Sequence, residues 1–155
     1  MGDLCEFHAV NLLGLVVKPS SLENAGLGLF TTRPRRCGEY ICAYGGRLIA
    51  SAEFERAPDM YGVQVDGGRV LSARYSTDGF ARFANDARSA PGNNCQLMTE
   101  ATFFREHGSA AARRARAEGV CLVAKGHIEA GSELFVSYGR EYWMRHHAWQ
   151  GRESL

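Results

Sequence analysis

The sequence predicts a mainly β fold with short helices, arranged as several small sheets in a single domain. Segments rich in β-branched and aromatic residues are short, and glycine, which occurs 18 times among 155 residues, separates them. Strong helix formers are concentrated in one stretch, residues 106–118. A chain of this length is expected to form one domain, residues 1–155, with a core of its own.

Composition excludes several classes of protein. A net charge of +1 gives no field that would indicate a nucleic-acid or membrane partner, and no apolar run is long enough to span a bilayer. The N-terminus lacks the features of a signal peptide. The five cysteines are odd in number and show no CxxC spacing, so neither a disulfide framework nor a metal site is expected. These features predict an intracellular protein, of the nucleus or the cytoplasm.

The first part of the chain is organised around a GxG motif. Residues 11–18 are β-rich and predict an early strand. The motif, residues 26–28, is followed by polar residues 31–36 that include Pro34, so it does not open a helix and the dinucleotide-binding fold is excluded. Its glycines leave a main chain that a ligand can approach closely, although a tight β-turn is the commoner explanation.

The middle of the chain predicts short strands, one hairpin and one short helix. The strands are expected at residues 40–44, 47–49, 61–65 and 69–71. Asp66-Gly67-Gly68 is a hairpin signal between the last two strands. Ser51 is expected to cap a helix over residues 51–56.

The rest of the chain alternates between helix and strand. We expect a short helix at residues 78–83, extended chain at 95–104, a helix at 106–118, a buried strand at 120–124 and a last strand at 133–138. The arginines of residues 105–118 indicate a solvated helix face more than a site for an acidic partner.

Two stretches do not look like ordinary core elements. Residues 81–88 place an Asn-Asp pair directly behind Arg-Phe-Ala, where a core element would continue with apolar residues, and a Gly-Asn-Asn turn follows at 92–94. Residues 133–138 end in Tyr138, which Gly139 closes. A tyrosine in this setting indicates a phenol delivered to a defined place. We expect the rest of the chain to bring these two stretches together.

In this order, the motifs resemble those of the SET domain, the fold of protein lysine methyltransferases that use S-adenosylmethionine. The resemblance covers residues 15–143, which leaves an N-terminal extension at 1–14 and a C-terminal tail at 144–155. Each motif alone is weak, but together in the correct order they make a specific signal. The matching pieces are Gly26-Leu27-Gly28-Leu29-Phe30 for the first cofactor loop, Gly38-Glu39 for the family's GE, Tyr44-x-Gly46 for YxG, Arg82-Phe83-x-Asn85 with Asn94 for RFxNHSCxPN, and Glu133-Leu134 with Tyr138-Gly139 for ELxxDYG.

The resemblance implies a β-clip-like fold with a pseudoknot near the C-terminus, and a set of site residues. Tyr138 is the implied catalytic residue that orients the amine and holds the methyl end of the cofactor through CH···O contacts, and Tyr44 is implied to line the lysine channel. For Arg82, a structural ion pair explains the residue as well as a bond to the cofactor's carboxylate, and for Trp143 core packing is an alternative to stacking on adenine. The implied cofactor-binding residues are Gly26, Leu27, Gly28, Leu29, Arg82, Phe83, Asn85, Asp86, Tyr138 and Trp143.

The chemistry of methyl transfer agrees with a site built from tyrosines. Transfer from a sulfonium to an amine needs donor, methyl and nitrogen in a line, so positioning contributes most of the rate. The lysine must be neutral, although its ordinary pKa is about 10.4. An aromatic channel beside a cationic sulfonium lowers the pKa of that lysine through desolvation and charge repulsion. No strong base in the protein is then required.

Several residues depart from the family pattern. Asp86 and Ala87 replace a His-Ser pair, Ser137 replaces an Asp, and Val136 stands where a Phe or Tyr often sets how many methyl groups are added. No cysteine cluster follows Tyr138, so the chain resembles a minimal SET domain without zinc-binding flanks, in which Tyr142 and Trp143 are implied to supply the aromatic lid instead. The implied partner is a lysine-containing protein or peptide, for which a histone tail and hence a role in chromatin regulation is one candidate, and homodimerisation stays open.

Three interpretations compete. The first is an active lysine methyltransferase, and the second is a binding module that keeps the fold without turnover, which the departures at Asp86 and Ser137 make thinkable. The third is an unrelated β-rich interaction domain with a chance GxG turn. Tyr138 together with Tyr44 favours the first over the second, because a module without turnover needs neither phenol. The ordered motif set disfavours the third.

Overall fold

The computed structural model describes residues 12–65, 67–74, 79–89, 91–107 and 119–153, with the backbone alone for 148–153. Most of the predicted N-terminal extension, most of the predicted helix at 106–118 and part of the C-terminal tail therefore lie outside the described residues. The strands of these ranges are β1 Leu15–Pro19, β2 Leu27–Thr31, β3 Tyr40–Ala43, β4 Arg47–Ala50, β5 Gly62–Val65, β6 Arg69–Ser72, β7 Cys95–Thr99, β8 Val120–Ala124 and β9 Glu133–Leu134. The helices are α1 Ser51–Arg56, α2 Glu100–His107 and α3 Arg140–Glu153, with a short 3₁₀ turn at Ala81–Phe83.

The strands form three small antiparallel sheets, which confirms the predicted mainly β fold with short helices. Each sheet has three strands, in the orders β1-β2-β9, β3-β8-β7 and β4-β6-β5. β8 is buried along its whole length, as expected for an apolar strand that lies between two neighbours. Within the described ranges, no helix is both long and apolar enough to cross a membrane.

The main hydrophobic core lies between the sheets. Leu15, Leu29, Leu122 and Leu134 have no exposed surface and belong to one cluster that all three sheets enter. Burying a side chain of this size contributes roughly 1.5–3 kcal/mol relative to leaving it exposed. The core therefore fixes β2, which begins within the glycine motif, relative to β9, which begins the stretch 133–138.

A buried arginine ties β1 to β2. Arg35 has no exposed surface, and its Nε donates to Thr31 Oγ1 at 2.8 Å. Its other nitrogens donate to the carbonyl oxygen of Gly14 at 3.0 Å and to Glu39 at 3.1 Å. A buried guanidinium is tolerated only where its N–H groups find such acceptors.

Near the C-terminus the chain crosses itself. Residues 133–138 were expected to form one strand, but only Glu133–Leu134 pairs in a sheet. Phe135 makes a parallel bridge to Asn85, and Val136 makes a parallel bridge to Cys95. Val136 N–H donates to the Asn85 carbonyl at 2.8 Å, and Cys95 N–H donates to the Phe135 carbonyl at 2.9 Å. The segment therefore lies between the two ends of the loop 85–95. This crossing is the pseudoknot that the resemblance implied.

Three local expectations were wrong. Ser51 does not cap α1, because β4 runs to Ala50 and Ser51 is already the first helical residue. The expected extension over 95–104 ends at Thr99, whose Oγ1 accepts the Thr102 N–H at 3.2 Å and so caps the start of α2. The helix expected at 78–83 is reduced, within the described residues, to the 3₁₀ turn at Ala81–Phe83.

Candidate active site

Tyr138 is held at both ends by residues 84–86, where the chain enters the loop 85–95. Its phenol donates a hydrogen bond to the Ala84 carbonyl at 2.9 Å, and its main-chain N–H donates to Asp86 Oδ2 at 2.9 Å. Burial, followed by the neighbouring phenols of Tyr142 and Tyr44, raises the pKa of Tyr138 well above its ordinary value. The phenol is therefore a neutral hydrogen-bonding group at physiological pH.

Tyr44 lies in the same group of phenols. It is 6% exposed, and its hydroxyl donates to the Tyr61 carbonyl at 3.1 Å. Burial, with further contributions from Asp59, Tyr61 and Tyr142, raises the pKa of Tyr44 well above its ordinary value. Four phenols, those of residues 44, 61, 138 and 142, thus converge on one region, which we call the phenol cluster. The cluster combines aromatic ring surface with several hydroxyl oxygen atoms.

Sequence analysis missed Tyr61, and it assigned Tyr142 to an aromatic lid with Trp143, not to the group of phenols around Tyr138. The rings of Tyr138 and Tyr142 are 4.6 Å apart in an edge-to-face contact, so α3 contributes directly to the phenol cluster. Tyr61 directly precedes β5 and is 41% exposed. No local pattern distinguishes it from an ordinary surface tyrosine at a strand end.

The glycine motif divides into an open part and a buried part. Gly26 has a φ of +69° and open space where a side chain would be, and Leu27 is 51% exposed. Gly28 instead faces Glu133, whose carboxylate takes the space that a Cβ would need. Leu29 has no exposed surface, so it offers no atom to a ligand in this conformation. Gly26 and Leu27 are therefore the accessible members of the predicted loop.

Glu133 joins the glycine motif to the Asn-Asp stretch. Its carboxylate accepts hydrogen bonds from Ser20 Oγ at 2.6 Å, Ser21 N–H at 2.8 Å and Asn85 Nδ2 at 3.4 Å. Asn85 Nδ2 also donates to the Leu27 carbonyl at 2.9 Å. Burial on its own would raise the pKa of Glu133, but the serine donors outweigh it and hold the pKa below its ordinary value. Loops distant in the chain thus meet beside Asn85.

Arg82 and Phe83 lie on the other side of that stretch. Arg82 Nη1 donates to the Ala73 carbonyl at 3.1 Å, and its guanidinium lies 4.8 Å from the centre of the Phe83 ring. The positive charge of Arg82 partly opposes the rise in the pKa of Tyr44 that burial causes, so Arg82 lies near the phenol cluster. Phe83 packs against the main core. These contacts favour a structural role for both residues.

Asp86 accepts hydrogen bonds from four donors. Oδ1 accepts from Arg88 N–H at 2.7 Å and Asn93 Nδ2 at 3.0 Å, while Oδ2 accepts from Tyr138 N–H and Trp143 Nε1, each at 2.9 Å. Burial would raise the pKa of Asp86, but these donors hold it below its ordinary value. The carboxylate is thus engaged within the protein, and a ligand would meet Asp86 through its main chain.

Trp143 does not present a free face for stacking. The Arg88 guanidinium lies 3.7 Å from the centre of its ring, and the Tyr138 ring lies near-parallel to it at 5.9 Å. An adenine stacked on the Arg88 side would have to displace that guanidinium. The contact belongs to the site all the same, because Trp143 and Arg88 both line the adjacent cavity.

A cavity of about 630 Å³ opens beside Asp86. This volume suits a ligand of cofactor size. Of the predicted cofactor residues, Asp86 and Trp143 line it, whereas residues 26–29, Arg82, Phe83 and Asn85 do not. Among the described residues, no group of three or more His, Cys, Asp or Glu side chains is placed to hold a metal ion.

Known proteins share this combination of fold and motifs. The SET domain family model matches residues 26–139. The chain is also similar to N-lysine methyltransferase KMT5A-A of Danio rerio, with 25% identity over 130 residues. That similarity covers 76% of this chain and 33% of the relative, so the chain spans about a third of the length of the curated protein that it matches.

The matched region contains the glycine motif, the loop 85–95 and the segment that crosses it, and it ends at Gly139, directly after Tyr138. It accounts for more than half of the 155 residues. The wider limits expected above, residues 15–143, stay a prediction. The relative named above is an N-lysine methyltransferase. The chain belongs to the SET domain family.

Proposed function

We propose that this chain is a protein lysine N-methyltransferase that transfers a methyl group from S-adenosylmethionine to a lysine side chain. The observation that carries the proposal is the position of the Tyr138 phenol, bonded to the Ala84 carbonyl within the phenol cluster. Asn85, the next residue after Ala84, bonds the Leu27 carbonyl of the glycine motif. The oxygen atoms of Tyr138 and Ala84 are therefore connected to the glycine motif through Asn85, the residue next to Ala84.

The residues present fit S-adenosylmethionine. The open space at Gly26 and the exposed residue Leu27 would accept its amino-acid end, and the cavity beside Asp86 and Trp143 would accept its adenosyl end. The Ala84 carbonyl and the Tyr138 phenol would supply oxygen atoms for CH···O contacts to the methyl end. When bound, the cofactor supplies a methyl group on a positively charged sulfur.

The phenol cluster would receive the lysine. Three of its phenols stay neutral at physiological pH, because burial raises the pKa of Tyr44, Tyr138 and Tyr142. None of these three acts as an ionised base. Their role is to exclude water and orient the amine, and the desolvation that results lowers the pKa of the lysine so that its proton leaves to solvent. Positioning of the neutral amine then provides most of the rate.

The proposed substrate is a lysine in a protein or peptide. The named relative is an N-lysine methyltransferase, which supports this class, and a histone tail is the first candidate to test. We also propose that the protein acts in the nucleus or the cytoplasm. A homodimer is compatible with this proposal.

Two measurements test the function. Calorimetric titration with S-adenosylmethionine should show binding. Incubation with a panel of histone and peptide substrates should increase the mass of lysines in steps of about 14 Da, because each transferred methyl group replaces one hydrogen. Mass spectrometry locates the modified lysines. If neither heat nor a thermal shift accompanies the titration, the proposal is wrong.

A second candidate is a SET-fold binding module without turnover. The observation that favours it is the Arg88 guanidinium seated on Trp143, together with an Asp at position 86 whose side chain is fully engaged. Binding of S-adenosylmethionine without methyl transfer to any lysine peptide, even over long incubation, would favour this candidate over the enzyme.

A further inference from the structure

One carboxylate connects the loop 85–95 to the end of the chain. The Tyr138 and Trp143 donors to Asp86 Oδ2 lie 52 and 57 positions further along the sequence, while both donors to Oδ1 lie within the loop itself. Hydrogen bonds to a charged acceptor are about twice as strong as neutral ones. Asp86 thus links the loop, the tyrosine and the helix α3 through a single side chain.

We infer that Asp86 is a positioning residue that holds the Tyr138 ring and α3 in a fixed relation. The inference rests on the proposed function for its effect on turnover, but not for its effect on structure. Tyr138 is restrained at its main-chain N–H by Asp86 and at its hydroxyl by Ala84. If the first restraint is lost, the second alone does not fix the direction of the ring.

The same carboxylate controls α3 through the indole. Trp143 is one residue beyond Tyr142, whose ring packs edge-on against Tyr138 at 4.6 Å. A displacement of Trp143 therefore moves Tyr142 as well, and two members of the phenol cluster lose their places together. Misplacement of reacting groups by about 1 Å can cost on the order of a hundredfold in rate.

The inference can be tested by a substitution that replaces one carboxylate oxygen of Asp86 by an NH₂ group. Every one of the four partners of Asp86 is an N–H donor. An asparagine of the same shape has one acceptor oxygen and one NH₂ group. Whichever way the amide turns, two N–H donors face its NH₂ group, so Asp86→Asn removes either the pair that holds the loop or the pair that holds Tyr138 and Trp143.

The first readout needs no cofactor. The chain has two tryptophans, so Trp149→Phe leaves Trp143 as the sole reporter of indole fluorescence. In that background we expect Asp86→Asn to shift the emission of Trp143 to longer wavelength and to increase its quenching by acrylamide, because the indole leaves its partners for water. Glu129→Gln, which removes an exposed carboxylate on another loop, is the matched control and should leave both signals unchanged.

The second readout is turnover. Asp86→Asn should lower kcat per folded molecule by at least about tenfold, while the KM for the lysine peptide changes by less than about threefold. Trp143→Phe keeps the carboxylate but removes one of its donors, and it should lower kcat as well. Since both changes break the same link, the double variant should be no worse than Asp86→Asn alone.

The outcomes separate this inference from the proposed function. If the unmodified protein shows no methyl transfer, the proposed function fails and the fluorescence shift still decides whether Asp86 holds Trp143. Unchanged Trp143 emission and quenching in Asp86→Asn overturns the inference, as does an unchanged kcat in an active enzyme. If Asp86→Asn does not unfold cooperatively, Trp143→Phe decides: a full kcat in that variant overturns the inference too.

Discussion

The phenol of Tyr138 donates a hydrogen bond to the main-chain carbonyl of Ala84, 2.9 Å away. Ala84 directly precedes Asn85, and Tyr138 directly follows the segment that crosses the loop 85–95. The bond therefore joins the two stretches whose polar residues looked out of place in the sequence. It also places the Tyr138 hydroxyl and the Ala84 carbonyl oxygen next to Asn85, whose side chain bonds the Leu27 carbonyl of the glycine motif.

Tyr138→Phe should reduce turnover by at least about tenfold while cofactor affinity stays within a few-fold. Phenylalanine keeps the ring packing against Tyr142 but removes the hydroxyl that orients the amine. Steady-state kinetics and calorimetric titration measure the two effects separately. Tyr40→Phe is the matched control, because the Tyr40 hydroxyl bonds Glu100 at 2.9 Å, away from the site, and its loss should leave turnover intact. Full activity of Tyr138→Phe would refute the site assignment.

Gly79→Ala should destabilise the protein and disturb the phenol cluster. A Cβ at this position would overlap the main-chain carbonyl of Tyr44, and backbone cannot move aside as the end of a flexible side chain can. Overpacking of this kind costs about 2 kcal/mol. Gly126→Ala is the control, since nothing lies within 4 Å of a Cβ there. Urea denaturation should show a lower midpoint for the first variant alone, and equal midpoints would contradict the close approach.

Stability should fall on acidification because of Glu133 and Asp86. Both folded-state pKa values are below their ordinary values, so each carboxylate stabilises the folded protein above its ordinary pKa. This stabilisation is lost as the pH falls through the depressed pKa. The melting temperature should therefore be nearly constant from pH 7 to about 5 and should decline below about pH 4.

Glu133→Gln should flatten that decline and lower the melting temperature at pH 7. The exposed carboxylate of Glu129 serves as the control, and Glu129→Gln should reproduce the unmodified profile. If the melting temperature of Glu133→Gln parallels that of the unmodified protein down to about pH 3, below the ordinary glutamate pKa, the serine donors do not stabilise the carboxylate.

Arg35→Met should destabilise the fold by about 3 kcal/mol, because it removes the buried guanidinium that donates to the Thr31 hydroxyl and to the Glu39 carboxylate. Arg36→Met replaces a neighbouring arginine that is exposed, and it should change stability by less than about 0.5 kcal/mol. Denaturant midpoints compare the two. A small effect at both positions would mean that a methionine side chain packs in place of the guanidinium.

Much of the fold follows from features that act over a few residues. The alternating pattern before and after Asp66-Gly67-Gly68 predicted the β5-β6 pair, and the polar residues after the glycine motif correctly excluded a helix there. The apolar run 120–124 predicted a buried strand, which is β8. Turn chemistry and side-chain period are local properties, so a single sequence displays them.

Local signals failed where two local preferences compete. Thr99 belongs to a β-rich run, but its hydroxyl caps a helix, so the strand ends five residues earlier than the extended stretch predicted from the pattern. At 133–138 the β-rich pattern is real, yet only Glu133–Leu134 has a sheet neighbour on β2. Strand character needs a partner, and the partner is chosen by the path of the whole chain.

The sequence alone determined the mainly β class, the order of the motifs and the membership of Tyr138 and Tyr44 in one candidate site. Tertiary structure decided that Tyr61 and Tyr142 join them, that Leu29 is inaccessible, and that the Asp86 carboxylate serves Tyr138 and Trp143. The physical reason is distance along the chain: these contacts arise only because the segment after β9 crosses the loop 85–95, and no local pattern encodes which side chains a crossing brings together.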